Sequence, residues 1–222
     1  VAHLCAIEEG VESAPSQEEL EAAIKVIEGW RHAHARPLSR VASNLRHYVA
    51  AERKPWVTQR LKKFPTIADK LVREPKMKLS RMADIGGVRA LLPDQEAAYR
   101  IASRLRRNWT IIRFRDYVAK PKADGYRALH LISRHRGQLI EIQLRTPLQD
   151  NWANMVEILA RLGAPDLKYG GGPEHLREFL CVSSEITALK EQGMPIDPSL
   201  QERHWVLGRE ADTFVDEADE PR

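Results

Sequence analysis

Arg60, Lys62, Thr66 and Lys70 follow one another through the stretch RLKKFPTIADK at spacings of two, four and four. Side chains two apart share one side of a β-strand, and side chains four apart share one face of a helix. A strand carrying Arg60 and Lys62, followed by a helix carrying Thr66 and Lys70, would bring three cations and a hydroxyl to one turn. The helix N-terminus there adds free N–H groups suited to an anion. Together these groups suit the phosphates of a nucleoside triphosphate; a basic surface helix is the plainer alternative.

Two carboxylates are candidates for the cation that accompanies such a ligand. Asp84, in DIGGVR, stands at the entrance to an apolar run, and Mg2+ bound to phosphates typically takes one or two carboxylates. Its plainer role is a strand-edge or capping residue. In EIQLRT, Glu141, Gln143 and Arg145 alternate with Ile142 and Leu144, so a carboxylate, an amide and a guanidinium line one side of a strand. Glu141 could share Mg2+ with Asp84 or accept a proton from an attacking hydroxyl; a cross-strand ion pair is the plainer role. Arg89 has a planar guanidinium that can stack on a base. In RDYVAKPKADGYRALHLI, Lys120 and Lys122 flank a proline, Gly125 frees a turn, and Tyr126 offers a ring for base stacking. His130 shares a strand face with Tyr126 and Ala128 by period two, where a satisfied structural histidine is the commoner role.

The elements that must position these residues can be read from periodicity. SQEELEAAIKVIEGWRHAH has Ser16 and Glu19 as a capping box and apolar residues at helical spacing. PLSRVASNLRHYVAAER is a second helix with Pro37 in its first turn. WVTQRLKKF alternates as a strand, and PTIADKLVRE is a helix opening at Pro65 or Thr66. IGGVRALL is a buried strand, and DQEAAYRIASRLRRN a helix capped by Asp94. Three strands follow in WTIIRFRDY, YRALHLISRH and QLIEIQLRT, the last two joined by a turn at Arg136-Gly137. PLQDNWANMVEILARLG, EHLREFLCVSSEITALKEQG and SLQERHWVLGREADTFV complete the helices. The order predicts an α/β (α+β) fold, a mixed sheet of about five strands flanked by helices. Residues 1–53 would form N-terminal helices, 54–165 the core, and 166–222 C-terminal helices with an acidic tail that frays.

Composition narrows the class. Hydrophobic residues make up 43% and charged residues 30%, which is globular. No apolar run approaches the roughly 20 residues of a membrane helix, and VAHLCAIEEGVE lacks a basic leader region, so a cytoplasmic protein is expected. Cys5 and Cys181 lack metal-site spacing and are expected to be passive thiols. Residues 31–81 carry fourteen Lys/Arg against three acids, whereas residues 1–30 carry seven Glu and one Lys. Such a block attracts polyanions, whether a triphosphate or RNA.

Taken together, five motifs resemble the synthetase domain of the RelA/SpoT-type (p)ppGpp synthetases, and in particular the short relatives called small alarmone synthetases. They are R-x-K-x-x-x-[S/T]-I-x-x-K at 60–70, D-x-x-G-x-R at 84–89, RDY-x-x-x-PK at 115–122, GY-x-x-LH at 125–130 and EIQLRT at 141–146. The resemblance implies a nucleotidyltransferase-like synthetase fold and a Mg2+-dependent pyrophosphokinase, in which an acceptor's ribose 3′-hydroxyl attacks the β-phosphorus of ATP and AMP leaves. It implies that Arg60 and Arg89 sandwich adenine and that Lys62, Thr66 and Lys70 hold phosphates. Asp84 and Glu141 would bind Mg2+, with Glu141 or Gln143 helping to deprotonate the acceptor. Tyr126 would stack on the acceptor base, while His130, Lys122 and Arg145 contact the acceptor. Ala128 stands where relatives often carry Ser, a change assigned to the acceptor pocket. The stretch from Leu61 to Asp94 also resembles a toxic branch found beside antitoxins, whose members modify the 3′-terminal adenosine of tRNA or make adenosine alarmones. With the basic tract, this favours tRNA as acceptor over GDP or GTP. No HD dipeptide occurs, so a synthetase without a hydrolase half is expected. The competing classes are a non-catalytic nucleotide or RNA binding module, which both carboxylates disfavour, and a nucleotidyltransferase, whose D-x-D or D-x-E strand is absent.

Overall fold

The structure, a computed structural model, describes residues 15–219. Cys5 and the amino-terminal VAHLCAIEEGVE lie outside the described residues. Two helices, α1 (Gln17–Ala33) and α2 (Ala35–Val49), precede β1 (Trp56–Leu61), α3 (Phe64–Arg73), β2 (Gly86–Leu91), α4 (Gln95–Asn108), β3 (Ile111–Asp116), β4 (Leu129–His135) and β5 (Gln138–Arg145). Helices α5 (Pro147–Arg161), α6 (Glu174–Glu191) and α7 (Pro198–Asp219) follow. The five strands form one sheet in the order β1-β2-β5-β4-β3, with β2 and β5 parallel and the other pairs antiparallel. This is the mixed five-stranded sheet that the sequence predicts.

Alternation decides the two faces. Val88 and Ala90 of β2, Leu129 and Leu131 of β4, and Ile140, Ile142 and Leu144 of β5 are buried against α2 and α4, whose Val41, Leu45, Ile101 and Leu105 complete the main core. Arg89, His130, Glu141, Gln143 and Arg145 are consequently left on the opposite face. The capping boxes Ser16–Glu19 and Thr146–Gln149 start α1 and α5, and the Asp94 side chain caps α4.

The structure moves several boundaries. β1 ends at Leu61, although the Lys62 amide still donates to the Ile85 carbonyl at 2.8 Å, and α3 begins at Phe64 with extended Lys63 as its N-cap. β4 begins only at Leu129, so Tyr126 is not a strand residue. Here Gly125 has φ +91° and its amide donates to the Lys122 carbonyl, a turn that overrides the apparent alternation. The acidic stretch expected to fray is helical as far as Asp219. The basic tract does not form one surface: Lys62 and Lys70 pair with Asp84, Arg31 with Glu28 and Arg73 with Asp69, while Arg36 and Arg40 lie on α2 beside the β4–β5 turn. Among the described residues, no helix is long and apolar enough to cross a membrane.

Gly125 is packed as well as bent. A Cβ there would stand 2.9 Å from the Ser184 Cβ and 3.3 Å from the Leu180 carbonyl oxygen. Gly125→Ala should therefore cost about 1–3 kcal/mol of stability, read as a lower urea midpoint with an unchanged slope; an unchanged midpoint would show that this turn is not fixed.

Candidate active site

Twelve residues singled out in the sequence line one cleft of about 380 Å³ on the open face of the sheet: Arg60, Lys62, Thr66, Lys70, Asp84, Arg89, Lys122, Tyr126, His130, Glu141, Gln143 and Arg145. They come from β1 and the turn after it, α3, the entrance to β2, β2 itself, the loop before β4, β4 and β5. Register brings the strand residues side by side, because Gln143 lies between Arg89 on β2 and His130 on β4.

Asp84 is clamped between two ammonium groups. Lys62 Nζ donates to its Oδ2 at 2.9 Å and Lys70 Nζ to its Oδ1 at 3.0 Å. Burial works to raise the Asp84 pKa, but the two lysines outweigh it and hold the carboxyl below its ordinary range. Thr66 instead directs its hydroxyl to the Lys63 carbonyl at 2.9 Å.

Glu141 begins a hydrogen-bonded chain. Its Oε1 is 3.0 Å from His130 Nδ1, and its Oε2 accepts from Gln143 Nε2 at 2.8 Å. The other imidazole nitrogen, Nε2, lies 2.5 Å from the Tyr126 hydroxyl, which accepts from Arg145 Nη2 at 2.8 Å. A carboxylate only accepts and the guanidinium only donates. The network therefore assigns the proton to Nδ1, with the Tyr126 hydroxyl donating to Nε2. Burial pushes the Glu141 carboxyl up, yet the hydrogen bonds it accepts from His130 and Gln143 bring it below the usual value, and Asp84 opposes them by like-charge repulsion. Burial raises the Tyr126 phenol, against the pull of Arg145.

Sequence reasoning missed Asp150. Its Oδ1 accepts from both Arg89 Nη1 and Arg145 Nη1 at 2.9 Å, and its Oδ2 from Asn154 Nδ2 at 3.3 Å. The residue is buried in the first turn of α5. The capping box was the available signal, since it starts a helix directly after Arg145 and brings a first-turn acid back to the strand end. Tyr117 was also passed over: its ring lies edge-on to Tyr126 and His130, with Lys122 Nζ 5.2 Å above it and 4.8 Å above Tyr126. Ala128 is fully buried and does not line the cleft, contrary to its assignment to an acceptor pocket. Cys181 has its thiol pKa raised by burial, which disfavours a reactive thiolate.

The donor set suits Mg2+. Asp84 and Glu141 offer hard oxygen ligands close enough to repel one another, within a cationic cleft that would accept phosphates. Among the described residues no group of three or more His, Cys, Asp or Glu could hold a metal. Two carboxylates with phosphate oxygens completing the shell is the arrangement expected for a Mg2+ that travels with a nucleotide.

Two tests follow from these contacts. Asp150→Asn leaves the buried guanidinium of Arg145 and the half-buried one of Arg89 without their shared anion and should cost about 3–5 kcal/mol, measured by urea denaturation; a loss below about 1 kcal/mol would mean that the pair is not held by charge. Asp84 binds protons more weakly folded than unfolded. Its contribution is thus present above the ordinary carboxylate pKa and lost as pH falls through the depressed value. Urea midpoints from pH 7 to pH 3 should fall less steeply for Asp84→Asn than for the wild type.

The pattern known as "Region found in RelA / SpoT proteins" matches residues 59–159. An uncharacterised protein of Mycobacterium tuberculosis is 39% identical over 156 residues, covering 67% of this chain and 56% of that protein, so the chain spans little more than half of its length. GTP pyrophosphokinase YjbM of Bacillus subtilis is 30% identical over 168 residues, covering 69% of this chain and 77% of that protein. The crystal structure of the small alarmone synthetase 1 from Bacillus subtilis bound to its product pppGpp superposes with a TM-score of 0.59 at 24% identity, over 75% of this chain and 94% of that one. With the cleft, the five-stranded sheet and these relatives in agreement, the chain belongs to the RelA/SpoT family and has the fold of its small alarmone synthetases.

Proposed function

We propose that this chain transfers the β,γ-pyrophosphate of ATP to the ribose 3′-hydroxyl of GDP or GTP and releases AMP. The observation that carries the proposal is the cleft itself, where two carboxylates face a cationic cradle across the open sheet face. The acceptor follows the names of the relatives, a GTP pyrophosphokinase and a synthetase that yields pppGpp. The tRNA acceptor favoured by the basic tract loses its support, because those cations are dispersed and several are already paired.

In this proposal Lys62, Lys70 and Thr66 hold the phosphates of ATP, and Arg60 and Arg89 hold its adenine. Phosphate oxygens would draw Lys62 and Lys70 away from Asp84, freeing that carboxylate. Asp84 and Glu141 would hold Mg2+, which supplies charge neutralisation on the phosphates when bound. Tyr126 receives the guanine once Lys122 leaves its ring face, and His130, Lys122 and Arg145 steady the acceptor ribose and phosphates. The 3′-oxygen forms a bond to the β-phosphorus as the bond from that phosphorus to the α,β-bridging oxygen breaks. The hydroxyl proton passes to Glu141, and AMP keeps the bridging oxygen. Gln143, an amide that donates to Glu141, orients the carboxylate and takes no proton. A loose transition state stabilised chiefly by positioned charge asks little of this base.

Incubation with γ-labelled ATP and, separately, GDP, GTP, ATP and deacylated tRNA should move label to GDP or GTP. Label on tRNA alone would overturn the acceptor, and label on none of them would overturn the activity. Glu141→Gln should lower kcat by about 10²–10⁴-fold while the circular dichroism spectrum stays that of the wild type; full activity in this variant would remove Glu141 from the mechanism.

A further inference from the structure

A second cleft, of about 540 Å³, opens between α2 and the β4–β5 turn. Arg36, Ser39, Arg40 and Ser43 follow at the i, i+3, i+4, i+7 spacing of one helix face, and all four are exposed. Across from them stand His135 and Arg136. His130 and His135 are five residues apart on β4, roughly 16 Å, and α2 covers the sheet face opposite the first cleft.

Three observations separate this cluster from an ordinary solvated face. First, Arg36, Arg40 and Arg136 make no ion pair or hydrogen bond among the described residues, and no carboxylate lines the cleft that they share. Second, His135 Nε2 is buried without a hydrogen-bond partner. A buried imidazole nitrogen in that condition is costly unless something completes it. Third, Arg136 has φ +51° and Gly137 φ +85°, the two central positions of a type I′ turn, where Asn or Gly is the favoured first residue. An arginine held there is strained, and strain of this kind accumulates where a side chain is needed in one place.

We propose that this cleft binds a short phosphate chain, inorganic or nucleotide-borne, through Arg36, Arg40 and Arg136, with the hydroxyls of Ser39 and Ser43 as additional donors. Guanidinium forks match phosphate oxygens in geometry and charge. The cleft has no Phe, Tyr or Trp on which a base could stack, so it reads the phosphates and not the base. The three cations converge on one concavity instead of forming a stripe, which fits a compact chain better than an extended nucleic-acid backbone. The inference does not depend on the catalytic proposal, because binding is measured without turnover.

The test is calorimetric titration of the full chain with inorganic triphosphate in the absence of Mg2+, at fixed ionic strength. Two equivalents should bind, one at each cleft. Arg40→Ala and Arg136→Asn should each weaken one of the two by tenfold or more and leave the other unchanged. Asn suits the first turn position, so Arg136→Asn keeps the hairpin, and an unchanged melting temperature verifies this. GTP and ATP should bind at the Arg40-dependent site within threefold of one another and of inorganic triphosphate. A single binding event untouched by either variant would overturn the proposal. So would a site that takes GTP but not inorganic triphosphate, which would mean that the base is read. An Arg40- and Arg136-dependent site for a single-stranded oligonucleotide that ignores inorganic triphosphate would overturn it as well.

Discussion

The open face of the candidate cleft depends on the pleat of β5. This strand lies in the middle of the sheet, hydrogen-bonded to β2 on one side and β4 on the other, and Ile140, Ile142 and Leu144 are fully buried in the main core. A slip of one residue would turn those three toward the cleft and drive Glu141, Gln143 and Arg145 into the apolar core in their place. The same register that forms the core therefore fixes a carboxylate, an amide and a guanidinium on the open face. It also sets their neighbours: Arg89 and His130 flank Gln143, and Gly87 stands beside Glu141 with no side chain to crowd it.

Charge compensation then gives the cleft its resting order. Asp84 lies between two lysines, and Asp150 lies between two arginines that would otherwise repel one another across a partly buried gap. The burial of Arg89 and the nearby charge of Arg145 both lower its pKa, while Asp150 raises it. Through Arg145, Tyr126 and His130 this anchor connects to Glu141 without a break in hydrogen bonding. At one end Asp150 also holds Arg89, the group proposed to meet adenine, and at the other stands Glu141, proposed to accept the proton. Under the proposed reaction, incoming phosphates exchange with Asp84 for Lys62 and Lys70, so the resting ion pairs resemble what the ligand will replace.

Much of this was legible in the sequence. Alternation in EIQLRT placed Glu141, Gln143 and Arg145 on one face, and the spacing in RLKKFPTIADK brought Arg60, Lys62, Thr66 and Lys70 to one strand-to-helix turn. Those signals are local and the pleat and helix pitch transmit them directly. Other features are set by contacts distant in sequence. Tyr126 reaches His130 from a loop, because the turn at Gly125 packs against α6 and ends the alternation before β4 begins. Asp150 joins Arg89 across 61 positions of chain, a pairing that no local pattern contains. The fourteen cations of residues 31–81 form one block in sequence but two clefts and several ion pairs in space, because α2 and α3 lie at different places on the sheet. Counting charge along the chain could not separate them.

The central claim, that the cleft moves a pyrophosphoryl group intact, is tested most directly by the products. In a ³¹P NMR time course with ATP, GTP and Mg2+, the account predicts AMP appearing in step with a guanosine nucleotide that bears a 3′-diphosphate. Accumulation of ADP, or of free pyrophosphate with a nucleotidylated acceptor, would contradict it.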